Sequence, residues 1–273
     1  MQALANALEA SPLWLLGPLF FLLFWLAAFA GRWLRNRSAP RDGAGGSEPG
    51  FIISASLGLL ALLLGFTVSM AVSRYDGRRT ATLNEANAIS TVVYRADLMP
   101  PALRATTLAE LERYLDARLT VGRMGEDSES VARAHAETAK AAARMWTHII
   151  SVGPSVPDTA VRLLVVESVN GMFDAAMVRD AALANRLPPT LVLLLILFPI
   201  FSLILIGYVS GRMVGAHFMA STELILLLTL VLMLIADLNR PRSGTIATPL
   251  TPLLEVQDQL RAAKAVSTAS QHP

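Results

Sequence analysis

The sequence predicts an all-α membrane protein with four spans and a large cytoplasmic helical region. Three observations point there. Hydrophobic residues make up 53% of the chain and charged residues only 16%, away from the balance of a soluble domain. The apolar residues are gathered in four long runs, and the polar stretch between the second and third runs has helical periodicity with no strand pattern of comparable length. The 23 Lys and Arg against 21 Asp and Glu leave a formal charge of +2, too small an excess to indicate a nucleic-acid partner. With zero cysteines, disulfides, cysteine nucleophiles and thiolate metal sites are excluded.

The chain divides into five stretches. Residues 1–50 hold the first span, Pro12–Trp33, and a connecting loop. As a helix the span is about 33 Å long, enough for a bilayer core, and it places Trp14 at one interface and Trp33 at the other. No basic segment precedes it, Glu9 lies just upstream, and a signal peptide's apolar core is shorter, so a retained helix is expected. Arg37–Gly50 has the composition of a flexible connection, and Asn36-Arg37-Ser38 matches a glycosylation sequon too common to carry weight. Residues 51–73 form the second span. Residues 190–236 hold the third, Thr190–Ser210, and the fourth, Leu224–Ala236 with a lead-in from Val214 that puts Glu223 inside the helix.

Residues 74–189 carry 14 basic and 14 acidic side chains, so the stretch is neutral. Its first part, to Arg118, reads as helix continuing the second span, broken around Leu98-Met99-Pro100-Pro101. Leu108, Leu111, Leu115 and Leu119 form a buried stripe. Gly122–Ser130 reads as a loop in which Ser128 or Ser130 caps a helix over Val131–Ile150. Asp158 is the expected N-cap of a helix over Thr159–Asn185, with Val161, Leu164, Val165, Ser168, Met172 and Ala175/Ala176 on its packing face. Residues 237–273 supply a turn-rich basic segment, a short helix over Leu253–Ala265 and a frayed end.

Four spans put both termini and residues 74–189 on one side of the membrane. Near the membrane that side has seven arginines (Arg74, Arg78, Arg79, Arg179, Arg186, Arg240, Arg242) against five opposite (Arg32, Arg35, Arg37, Arg41, Arg212), which favours a cytoplasmic placement.

Signs of catalytic chemistry are scarce. His135, His148, His217 and His272 form no metal-ligand spacing and read as surface or packing residues, and phosphate-binding glycine fingerprints are missing. The Gly211–Gly215 GxxxG reads as a close helix approach or a turn. Glu110, Asp116, Glu126, Asp127 and Glu129 read as solvating charges. Asn84, Glu85 and Asn87 are more pointed, because they recur just past a span, where they bind adjacent helices or line a wet vestibule.

The second span carries the most information. At 100° per residue, Gly58, Leu62, Gly65, Ser69 and Ser73 fall near one face. Small residues there permit close helix packing. Alternatively the face surrounds an axial opening, with Leu62 and Phe66 as apolar constrictions and Ser69 and Ser73 beginning a wetter section.

Around Leu63–Arg79, LLGFTVSMAVSRYDGRR, the chain resembles bestrophins and bestrophin-like membrane proteins, most closely a bacterial domain-of-unknown-function branch of that group. The features that carry the likeness are Leu64-Gly65-Phe66, Arg74-Tyr75, Asn84 through Ile89, Tyr94-Arg95 and Asp237-Leu238-Asn239-Arg240-Pro241, and the likeness runs from about Ile53 to Ile246. Bestrophins are homopentameric anion channels with four membrane helices per subunit and second helices lining the pore. The resemblance therefore implies a self-associating channel for small inorganic ions in contact with membrane lipids, placed in a bacterial inner membrane. It sets the pore neck at Gly58, Leu62 and Phe66, where Gly58 departs from the bulky pattern. It also marks Arg74 and Tyr75 below the neck, where Asp76 replaces a second aromatic, and with Gly65 these read as helix-packing positions. Asn239–Gly244 falls where eukaryotic relatives carry an acidic calcium-binding segment, and the acidic run is missing, so calcium gating transfers poorly. Passive conduction would need no cofactor. The competing readings are a non-conducting membrane scaffold or sensor, and a membrane enzyme or transporter using Glu85 and the nearby asparagines.

Overall fold

A computed structural model of the chain describes residues 11–37, 49–124, 128–209 and 216–269. The Gly211–Gly215 motif, Ser38 of the sequon, most of the first connection, and Arg41, Glu126, Asp127 and Arg212 lie outside the described residues. The described secondary structure is helical: α1 (Leu13–Arg37), α2 (Pro49–Ala96), α3 (Pro101–Arg123), α4 (Ser128–Val152), a 3-10 turn (Gly153–Ser155), α5 (Thr159–Ala184), α6 (Pro189–Val209), α7 (Ala216–Leu238) and α8 (Thr251–Ala269). The chain forms two compact units.

The first unit comprises the chain to Ser73, Arg186–Arg240 and Gly244–Ile246. Four helices among the described residues are long and apolar enough to cross a membrane, as the four runs predict. Leu16, Phe20 and Phe24 of α1 pack with Leu60 and Leu64 of α2, Leu195 and Leu203 of α6, and Ile225 and Leu232 of α7. With no water to drive helices together in lipid, close fit and hydrogen bonds do the work. Ser56 and Ser202 share a 2.9 Å hydroxyl–hydroxyl bond between α2 and α6. Gly31 and Gly207 bring α1 against α6 so closely that a Cβ on Gly31 would stand 2.0 Å from the Ile204 carbonyl oxygen, and one on Gly207 2.0 Å from that of Ala28. Trp14 and Trp33 are exposed at opposite ends of α1. At the Trp33 end, Arg37 lies 4.8 Å over the Trp33 ring and Arg35 5.6 Å over that of Tyr208.

The second unit comprises Arg74–Asn185, Pro241–Ser243 and the chain from Ala247. Its core gathers Ile89 and Val92 of α2, Leu108, Leu111 and Leu115 of α3, Met145 and Ile149 of α4, Val169 and Met172 of α5, and Leu253 and Leu260 of α8. The leucine stripe of α3 is thus inside, as its spacing requires. α2 ends where expected. The N–H groups of Asp97, Leu98 and Met99 tighten onto carbonyls three residues back, and Pro101 then opens α3 at the position where a missing N–H costs nothing. Asp158 caps α5, its Oδ1 accepting the Ala160 N–H at 2.7 Å and the Val161 N–H at 3.4 Å. On that helix Val165, Ser168, Met172 and Ala176 are buried as predicted, whereas Leu164 is 38% exposed.

The last helix is longer than its apolar residues indicate, running from Thr251 through Ala269. Polar side chains hold it: Lys264 pairs with Glu112, Gln257 Nε2 donates to Asp116 Oδ1 at 2.7 Å, and Gln259 Oε1 accepts the Ser90 hydroxyl at 2.8 Å.

Candidate functional site

α2 has one face turned to its own chain and one turned away. Leu60, Leu64, Thr67 and Ala71 point inward, and the Thr67 hydroxyl, which needs a partner away from water, donates to the Leu63 carbonyl at 2.8 Å. The predicted pore residues Gly58, Leu62, Phe66, Ser69 and Ser73 are all exposed, Leu62 at 55% and Phe66 at 66%, and so is Gly65, expected as a helix-packing position. A Cβ on Gly58 or Gly65 would meet nothing within 4 Å. Within the chain, therefore, Gly65 is not a packing glycine. That role falls to Gly31 and Gly207, which the sequence reading missed because each is one small residue in an apolar run.

α2 is also the least covered of the four spans. In its most apolar stretch 17% of residues are buried, against 28–33% for the others. Lipid can cover leucine and phenylalanine, but it offers nothing to Ser69 and Ser73.

Past Ser73 the expected polar group divides. Asn84 and Asn87 are exposed, on the same side as Thr80 and Tyr94. Glu85, expected with them either to bind adjacent helices or to line a wet vestibule and named among the lining residues, does the former and is fully buried in the second unit. Its Oε1 accepts the Arg118 Nε–H at 2.5 Å and its Oε2 accepts from Arg179 Nη1 at 2.8 Å. Arg118 also reaches Asp180, with Nη1 to Oδ2 at 2.8 Å and Nη2 to Oδ1 at 3.0 Å. Two arginines and two carboxylates make a neutral cluster tying α2 to α3 and α5. Burial works against the Arg118 charge, but its bonds to Asp180 and Glu85 prevail and push its pKa up. Burial raises the adjacent Tyr114 phenol, whose charged form is the anion. Glu85 acts as an interior helix clamp, and position along α2 alone cannot distinguish that from a lining role.

Arg74 and Tyr75 are half-buried, with Arg74 Nη1 donating to Asn185 Oδ1 at the C-cap of α5. His148 is half-buried, its Nε2 bonded to Thr107 Oγ1 at 2.9 Å. Among the described residues no group of three or more His, Cys, Asp or Glu could hold a metal ion.

After α7, in the first unit, Asp237 closes the chain on itself. Its Oδ1 accepts the Thr245 N–H at 2.7 Å and its Oδ2 the Thr245 hydroxyl, while a Cβ on Gly244 would lie 2.4 Å from Oδ1. Asn239 Oδ1 accepts the Leu187 N–H at 2.8 Å, fixing the approach to α6. A cavity of about 60 Å³ nearby is lined by apolar side chains such as Leu16, Phe20 and Leu195, with Asn239 and Arg240 as its polar residues.

These features define an all-α integral membrane protein with four spans and a large helical region outside them. The bestrophin-like domain family matches residues 22–253, and the chain belongs to that family. Solved structures agree on the fold. A crystal structure of a bacterial bestrophin homolog from Klebsiella pneumoniae with a tyrosine-to-alanine mutation is 14% identical, superposes with a TM-score of 0.67, and is matched over 92% of this chain and 98% of that one. A leucine-to-threonine mutant of that homolog gives 14% identity and a TM-score of 0.68 over 93% and 99%. The crystal structure of a membrane protein with a glycine-to-alanine mutation gives 13% and 0.69 over 92% and 98%. No curated protein matches the chain. Family membership supports a general channel-like function and is consistent with a non-enzymatic protein.

Proposed function

We propose that the chain assembles as a homopentamer around copies of α2 and conducts small ions passively along the axis, the second unit and both termini being cytoplasmic in a bacterial inner membrane. The observation that carries this reading is the uncovered face of α2. A membrane helix that presents Gly58, Gly65, Ser69 and Ser73 away from its own chain needs a surface other than lipid, and further copies of itself provide one. Leu62 and Phe66 then narrow the axial path, and the serines and Asn84 and Asn87 line its wetter parts. The size of the assembly follows the family resemblance, and the placement follows the arginine count.

The test is ion flux through the purified protein in liposomes. Leu62→Ala and Phe66→Ala are expected to change the conductance. Correctly assembled protein that carries no current under varied voltage, ions and pH would overturn the reading and leave a scaffold or sensor.

A further inference from the structure

The channel reading leaves the sign of the permeant ion open, and the charges of α2 bear on it. Past Ser73, the inward positions of α2 include Arg78, Ala81, Thr82, Glu85, Ile89 and Val92. Asp76 lies nine residues before Glu85. Nine residues make two and a half helical turns, so as Glu85 points into the core of the second unit, Asp76 points away from it. Eighteen residues make five full turns, which sets Asp76 in line with the exposed Tyr94. By the same count Ser69 and Ser73, seven and three residues earlier, lie on its side of the helix.

Asp76 is exposed and makes no hydrogen bond or ion pair among the described residues. The other charges of this part of α2 are placed differently. Arg74 reaches Asn185, Arg78 is buried, Glu85 is clamped by two arginines, and Arg95 donates to the Leu164 carbonyl and to Glu167. Arg79 is exposed, but three residues on it is rotated about 60° from Asp76, to the side away from Ser73 and Thr80. The middle of the uncovered face thus carries hydroxyls, amides and a single carboxylate.

Resting on the channel reading, we infer that Asp76 is the selectivity residue and that the permeant ions are hydrated cations. Copies of α2 brought round one axis place their Asp76 carboxylates in a ring at the wet end of the apolar neck. Such a ring raises the local concentration of cations and repels anions.

The experiment is the reversal potential of wild type, Asp76→Asn, Asp76→Glu, Asp76→Lys and Arg79→Gln across a KCl gradient in liposomes, each checked for wild-type assembly size. Wild type, Asp76→Glu and Arg79→Gln should reverse on the K⁺ side, Asp76→Asn near zero, and Asp76→Lys on the Cl⁻ side. Currents that favour Cl⁻ in wild type, or a potential unmoved by Asp76→Asn because Arg79 neutralises the ring, would overturn the assignment and leave the channel reading standing. Absence of current in every correctly assembled variant would instead remove the channel reading, and this inference with it.

Discussion

Arg118 donates its Nε–H to Glu85 Oε1 over 2.5 Å, joining α2 to α3 inside the second unit, with Arg118 1% exposed and Glu85 not exposed at all. A charge taken out of water this far is tolerable only while its partners stay in place.

Removing one partner should therefore be severe. Glu85→Gln leaves Arg118 and Arg179 without their shared carboxylate and should cost about 3–5 kcal/mol. Chemical unfolding followed by helical circular dichroism measures it. Glu85 truncation with near wild-type stability would show that the clamp contributes little.

Glycines of the spans should separate into two classes. Gly31→Ala and Gly207→Ala drive a methyl into a backbone carbonyl of the facing helix and should destabilise by about 1–3 kcal/mol or more. Gly65→Ala meets open space within the chain and gains helix propensity. Melting curves in detergent compare the three, and equal losses would contradict the geometry.

The segment after α7 should be indifferent to calcium. Both Asp237 oxygens are taken by Thr245, and a calcium site needs six to eight oxygen ligands where this segment has no acidic run. Calcium and chelator should leave the melting temperature unchanged. Thr245→Val removes a hydrogen bond to a charged group and should cost about 1.5–3 kcal/mol.

Acid should weaken the second unit through His148. Burial lowers its pKa, only partly opposed by the nearby Glu110 carboxylate, so folding favours the neutral imidazole. That stabilisation is complete above the unfolded imidazole value of about 6.5 and is lost as pH falls through the lower folded value. Melting temperature against pH should fall less steeply below neutrality in His148→Gln, and identical profiles would exclude this residue as a source of the acid sensitivity.

Where a local rule acts alone, the sequence and the structure agree. The four apolar runs are helices, Pro100-Pro101 ends α2, Asp158 caps α5, and the α3 leucines are buried. Disagreement begins where one segment must choose between partners. Asn84, Glu85 and Asn87 read as one polar group, yet Glu85 rotates into the core while the asparagines stay outside. Gly65 and Gly207 are alike as glycines in apolar runs, yet only Gly207 has a backbone against it. The α8 helix is held on α3 by polar as well as apolar residues, because Lys264 and Gln257 find carboxylates there.

By itself the sequence determined the class, the number of spans, the helix breaks, and the sharing of one side of α2 by Gly58, Leu62, Ser69 and Ser73. Those properties follow from composition and from the 100° turn per residue, which involve no other part of the chain. Only the tertiary structure decided which side of α2 its own chain covers, that Glu85 meets Arg118 and Arg179, and that Gly31 and Gly207 are the points of close approach. Periodicity says which residues point the same way, but what they point at depends on helices far away in sequence, and that is settled by packing and by the need of every buried charge for a partner.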